Sequence, residues 1–311
     1  MVVITGGSSG IGRAAAVACA RRGDRLVLAA RSADGLGAAA AECRAAGAEV
    51  LTVPTDVVAQ AEVDALLAAA VDRFGRVDAV VHSVTVVAYG RFEDVPAAAF
   101  DRVVATTLTG AANVSRAALR LFREQGGGAL VIVGSLLGKI VTPYMSSYVT
   151  AKWGLLGLAR TLQVEARSTP GIEVSLVCPG GVDTPVYRQA ASYLGRHGRP
   201  PPPVDRPEKV ARAILRCLDH PRRDVSVGPA NGIVILGFRT LPAVFDVLVT
   251  PLMRIGGLSR QPSEPNDGNV FAPQPAGEAV HGDWGRQWLR PAAGAALTVA
   301  AIATAVRRTT R

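Results

Sequence analysis

The chain has 311 residues, 49% of them hydrophobic and 19% charged, a composition that supports a sizeable core and excludes a mainly disordered chain. Its formal charge of +9 is carried mostly by arginines scattered among alanines, because Lys139, Lys152 and Lys209 are the only lysines; without a basic and aromatic stripe or zinc-ligand spacing, that charge argues against a nucleic-acid partner. Cys19, Cys43, Cys178 and Cys217 form no CxxC pair and are expected to be reduced, partly buried thiols of a cytoplasmic protein rather than metal ligands or disulfides.

Val2-Val3-Ile4 reads as a short first strand running directly into a glycine turn, so no secretory signal is expected ahead of the fold. The turn, Thr5-Gly6-Gly7-Ser8-Ser9-Gly10-Ile11-Gly12, precedes a helix from Arg13 to Arg22. Glycines there let backbone approach a pyrophosphate, and the helix start offers unpaired N–H groups to it. The next strand, Leu26 to Ala30, ends at Arg31 with no carboxylate beside it. An acid in that place accepts hydrogen bonds from the ribose 2′-hydroxyl of NAD, whereas the donor fork of Arg31 suits a 2′-phosphate. NADP is therefore expected, ahead of NAD.

Helices are expected over Ser32 to Ala46, Gln60 to Phe74, Phe100 to Gln125 and Ser147 to Ser168, interleaved with strands over Ala79 to His82, Ala129 to Val133 and Glu173 to Val177. A proline run at 200–203 marks an extended loop, a helix follows from Pro207 through Leu218, and Asp224 to Gly228 supplies a last strand. Strands separated by helices imply an α/β fold, a doubly wound parallel sheet of Rossmann type covered on both faces. His82 is read as structural, since His197, His220 and His281 make no metal-ligand spacing with it. After residue 228 the alternation stops, dividing the chain into a catalytic domain, 1–228, and an extension, 229–311, partly packed and partly flexible.

Tyr148-Val-Thr-Ala-Lys152 places a phenol and an ammonium one helical turn apart, where the cation can stabilise phenolate and assist proton transfer. Gly134-Ser135 follows a strand and lies thirteen residues before Tyr148, and Pro179-Gly180-Gly181-Val182-Asp183-Thr184 follows another. Together with the TGxxxGxG spacing of the glycine turn, these residues resemble the short-chain dehydrogenase/reductase family over residues 1 to about 228. The resemblance implies a sheet usually of seven strands, with the dinucleotide across its carboxyl edge. It implies that Thr5, Gly6, Ser8, Ser9, Gly10, Ile11 and Gly12 hold coenzyme, that Asp56 contacts the adenine amino group, and that Pro179, Gly180, Val182 and Thr184 lie near the nicotinamide. It makes Tyr148 the general acid/base, Ser135 the residue that holds the substrate oxygen, and Lys152 the residue that holds the nicotinamide ribose and tunes Tyr148.

Two departures stand out: His82-Ser83-Val84-Thr85 replaces the family's NNAG, and Thr107 takes the place of an asparagine. The expected function is interconversion of an alcohol and a carbonyl, with an apolar extension hinting at a lipophilic substrate and a homo-oligomer expected. The alternatives are a dinucleotide-binding sensor or scaffold that has lost turnover, and a membrane-surface adaptor. Within the extension, Gly232 to Leu258 is broken by Arg239, Pro242, Asp246 and Pro251, so two short amphipathic helices packed at a substrate entrance or subunit contact are expected. Pro262 to Pro275 reads as a flexible connector, and Ala292 to Val306 as a loosely attached helix that leaves peripheral membrane contact open.

Overall fold

The computed structural model describes residues 1–274 and 277–285. Seven parallel strands form the central sheet: β1 (Val2–Thr5), β2 (Leu26–Ala30), β3 (Val50–Pro54), β4 (Ala79–His82), β5 (Gly128–Val133), β6 (Ile172–Pro179) and β7 (Asp224–Val227). Their order is β7-β6-β5-β4-β1-β2-β3. The order reverses at β1, so the carboxyl ends of β1 and β4 open the crevice in which a doubly wound sheet holds its ligand.

Side-chain alternation along these strands explains the two layers. Val3, Val27, Val80, Leu130 and Ile132 face one core, shared with α3 (Gln60–Phe74), α5 (Gly110–Gln125) and α6 (Ser146–Ala166). Val2, Ile4, Leu26, Leu28, Val81 and Val131 face the other, against α1 (Gly10–Arg21), α2 (Ala33–Ala45) and α7 (Pro207–Asp219). Each fully buried Val, Leu or Ile contributes roughly 1.5–3 kcal/mol relative to exposure, so the continuously apolar strands strongly favour burial on both sides. All four cysteines are free and buried in these layers.

The expected helix from Phe100 to Gln125 is interrupted. It comprises α4 (Ala97–Val104), a wider π-type turn over Ala105–Thr109, and α5. β3 lies at the sheet edge and is only partly buried, with Pro54 at its end, the position in a sheet that tolerates proline.

The extension starts with α8 (Asn231–Thr240) and α9 (Pro242–Leu252). Ile233 is 74% and Val247 73% exposed, so this pair leaves much of its apolar surface open, while Phe238 meets Trp153 of α6 and Phe245 of α9 edge-on. Leu258–Pro262 then pairs antiparallel with Arg196–Gly198. The flexible connector expected over 262–275 is corrected for its described part. Asn266 exchanges backbone hydrogen bonds with Ser192, the Tyr193 hydroxyl donates to Asp267 at 2.6 Å, and Arg31 donates to the carbonyls of residues 269–271. Main-chain groups make most of these links, which is why no apolar periodicity announces them. The expected helix over Ala292 to Val306 lies outside the described residues. Among the described residues no helix is long and apolar enough to cross a membrane.

Candidate active site

A cavity of about 260 Å³ runs along the carboxyl edge of the sheet from the β2 end to α6. The strand-to-helix turn after β1 shapes its floor. Gly6 adopts φ +77°, and a Cβ on Gly12 would overlap the Gly6 carbonyl oxygen, so the loop can close onto α1 only with glycine at both places. Gly6, Ser8, Ser9, Gly10 and Ile11 line the cleft, as do Arg31, Asp56, Pro179, Gly180, Val182 and Thr184. Thr5 and Gly12 do not. The Thr5 hydroxyl meets His82 Nδ1 at 2.9 Å, tying β1 to β4, and Gly12 acts through the close packing just described.

At the other end, Ser135, Tyr148 and Lys152 line the same cleft. Ser135 sits one residue beyond the end of β5, after Gly134, where its hydroxyl accepts from the Leu137 N–H at 3.1 Å and starts a single helical turn. Tyr148 and Lys152 project from adjacent turns of α6, with the Lys152 Nζ 5.6 Å from the Tyr148 ring centre. Nζ also donates to the Val133 carbonyl at 3.1 Å. Burial pulls the Lys152 pKa from 10.5 to about 8 and pushes the Tyr148 pKa up to about 12, with the Ser135 side chain opposing the rise. Burial is the largest influence on Tyr148, because removing a phenolate from water costs more than its Ser135 hydrogen bond returns.

Asp56 does not stand free at the adenine end. Its carboxylate pairs with Arg102 of α4 and accepts from the Val58 N–H at 3.1 Å. Burial works against ionisation, but the Arg102 and Val58 hydrogen bonds outweigh it and hold the carboxyl below its ordinary 3.8. Arg31, expected at a 2′-phosphate, lines the cleft with its donors engaged. Its Nη2 donates to the Asn269 carbonyl at 2.6 Å, and its Nη1 to Val270 and Phe271 at 3.2 and 3.3 Å. The guanidinium binds the extension's carbonyls rather than presenting an open fork to a phosphate.

The extension reaches this cleft at both ends: Met253 lies in the segment expected at a substrate entrance, whereas the contacts made by residues 269–274 and 278–284 have no counterpart in the sequence pattern. Met253 lines its apolar end with Tyr89, Met145 and Tyr187, while Asn269, Gln274 and Glu278 line its β2 end. The Ala279 carbonyl accepts from the Gly10 N–H at 2.8 Å, and Asp183 Oδ1 accepts from the N–H groups of Gly282 and Trp284 at 3.1 and 2.9 Å. Asp183 belongs to the turn after β6 and Arg13 to α1, and nothing in their spacing tells that their partners lie 99 and 101 residues away for Asp183 and 265 for Arg13. Among the described residues no group of three or more His, Cys, Asp or Glu is placed to hold a metal ion.

The glycine cradle and the length of the cleft fit an elongated dinucleotide. Comparisons with known proteins agree. The short chain dehydrogenase family matches residues 1–193. An uncharacterised oxidoreductase of Bacillus subtilis, YxnA, is 34% identical over 273 residues, covering 86% of this chain and 76% of that protein. Levodione reductase of Leifsonia aquatica is 37% identical over 197 residues, 62% of this chain and 73% of that one. A crystal structure of levodione reductase superposes with a TM-score of 0.67 at 30% identity, covering 75% of this chain and 97% of its own. An alcohol dehydrogenase from Thermococcus sibiricus complexed with 5-hydroxy-NADP gives 0.63 at 30% identity, covering 73% and 94%. A match of that extent on a sheet of this strand order makes the chain a member of the short-chain dehydrogenase/reductase family, whose proteins are NAD(P)-binding oxidoreductases.

Proposed function

We propose that this protein interconverts an alcohol and a carbonyl with a nicotinamide dinucleotide, using Ser135, Tyr148 and Lys152. The observation that carries the reading is the convergence of these three side chains in one cleft, Ser135 and Lys152 buried and Tyr148 partly so, at the end opposite the glycine turn. Gly6, Ser8, Ser9, Gly10, Ile11, Asp56, Pro179, Gly180, Val182 and Thr184 would hold the dinucleotide, which when bound would deliver hydride to the carbonyl carbon or accept it from the alcohol carbon. In the reductive direction the Tyr148 phenol donates its proton to the substrate oxygen, and a pKa near 12 keeps that proton in place at neutral pH. Ser135 holds the same oxygen at the start of its helical turn. Lys152, fixed by the Val133 carbonyl, places positive charge beside the ring and favours the phenolate left after transfer.

Tyr89, Met145, Tyr187 and Met253 give the reacting end an apolar wall, which favours a lipophilic substrate. Levodione reductase and the alcohol dehydrogenase are named for carbonyl or alcohol chemistry, in keeping with this class. A cytoplasmic location accords with four free thiols. The preference for NADP expected from Arg31 is not carried into this reading, because that guanidinium is already engaged. The test is Tyr148→Phe, which keeps the ring and removes the transferable proton. Turnover against a panel of carbonyls and alcohols should fall by at least roughly a hundredfold, with coenzyme affinity retained in a direct titration. Near-parental turnover in a folded variant overturns the assignment.

A further inference from the structure

At the end of β2 the chain has Ala30, Arg31 and Ser32, so no acid of that strand faces the cleft. A carboxylate is present there nonetheless, delivered by the extension. Glu278 lines the cleft beside Ser8, Arg31 and Ser32. Its Oε1 accepts from the Ser8 hydroxyl at 3.2 Å. Its Oε2 is buried and has no hydrogen-bond partner.

This carboxylate is seated rather than trailing. Arg13 Nη1 donates to the Glu278 carbonyl at 3.1 Å, the next carbonyl accepts from Gly10, and Asp183 fixes Gly282 and Trp284 farther along. Gly35 makes room for the head group, since a Cβ there would overlap Oε2. Burial raises the Glu278 pKa above 4.5, while Ser32, Ser8, Arg13 and Arg31 oppose the rise.

The hydrogen-bonding inventory of the seat distinguishes two coenzymes. A carboxylate only accepts, and the buried oxygen lacks a donor. The adenosine ribose of NAD(H) carries hydroxyls that donate. The 2′-phosphate of NADP(H) brings nearly two negative charges and acceptor oxygens, while Arg31 at this end of the cleft is bonded to three carbonyls and Arg13 to the Glu278 carbonyl and Glu42.

We infer that Glu278 of the C-terminal extension is the coenzyme-selecting acid of this chain: its carboxylate accepts a hydroxyl of the adenosine ribose and repels a 2′-phosphate, so that NAD(H) is preferred to NADP(H). The inference rests on the proposed reading of the cleft as the dinucleotide site. It replaces an acid ordinarily borne on the strand with one borne on a segment nearly 250 residues away in sequence.

The test is equilibrium titration of full-length protein with NADH and with NADPH, followed by nicotinamide fluorescence, in the parent, Glu278→Gln and Glu278→Ala. The parent should bind NADH at least roughly tenfold more tightly. Glu278→Gln, nearly the same shape without the charge, should narrow that ratio by about tenfold, mainly through tighter NADPH binding. Glu278→Ala should narrow it as well, with weaker NADH binding from the lost acceptor. Parental preference for NADPH, equal affinities, or a ratio unchanged in both variants overturns the role of Glu278 while leaving the dinucleotide site standing. Failure of the parent to bind either coenzyme overturns both.

Discussion

His82 stands where the family pattern has asparagine, and its protonation tests how the cleft floor is held. The imidazole is 1% exposed and receives or gives one hydrogen bond through Nδ1 to Thr5, while Nε2 is buried without a partner. Burial, and after it the charge of Lys152, lowers its pKa from 6.5 to about 3. Between those values the unfolded chain binds a proton that the folded chain refuses. The contribution of neutral His82 is therefore fully present above 6.5 and is lost as pH falls toward 3. At 1.36 kcal/mol per unit, moving from about pH 7.5 to about pH 5 removes roughly 2 kcal/mol of stability. For a domain of this size that corresponds to a fall in Tm of about 4–8 °C. Calorimetry at both pH values on the parent and on His82→Gln, whose amide does not titrate, isolates this part of the acid sensitivity. The parent should lose about 4–8 °C more than the variant. Equal losses would refute the argument, because they would place the proton uptake elsewhere.

Three other outcomes follow from the packing. Gly12→Ala should lower stability by about 1–3 kcal/mol and weaken coenzyme binding together, since the new Cβ forces the glycine turn off α1; Tm and coenzyme titration on one preparation check both. Met253→Ala should cost about 2–5 kcal/mol if its neighbours do not collapse, and should raise KM for apolar substrates more than it lowers kcat, because Met253 packs with Val87, Tyr89 and Met145 at the reacting end. Replacing both Ile233 and Val247 with glutamate should shift size-exclusion elution toward a smaller species without changing turnover, if the open α8–α9 face is where identical subunits meet.

How much could be read in advance depended on how local the signal was. The turn from Thr5 to Gly12, the Tyr148–Lys152 spacing and the strands β1, β2, β4, β5 and β6 are written within a few residues of each other, so backbone geometry and periodicity reveal them. β3 carries no clear strand signal: its residues are half-buried at an edge and end in proline, so neither the buried apolar run nor clean alternation is present. The strap over the cleft left no signature at all. Glu278, Ala279 and Gly282 engage through a carboxylate and main-chain groups, and such contacts impose no repeat on the sequence. The same holds for Arg31, whose donors meet carbonyls distant in the chain.

The two departures from the family pattern are linked in space, which changes how each should be weighed. Thr107 is fully buried, and its hydroxyl meets that of Thr85 at 3.1 Å. Thr85 belongs to the segment that replaces NNAG, so the altered loop after β4 and the altered helix position bond directly to each other. The helix around Thr107 is widened over Ala105–Thr109, and a π-type turn of this kind commonly accompanies functional sites. On the other side of the same loop, Thr5 and His82 join β1 to β4 through a second side-chain hydrogen bond. Changing Thr85 alone would leave the fully buried Thr107 hydroxyl unpaired, at a cost of about 1–3 kcal/mol. The replacements thus work as pairs, and a single reversion of Thr107 to asparagine should be more damaging than its chemistry suggests, whereas reversion together with Thr85 should recover part of the loss. A double-mutant cycle in Tm reads that coupling directly, and strictly additive effects would show that the two threonines act independently.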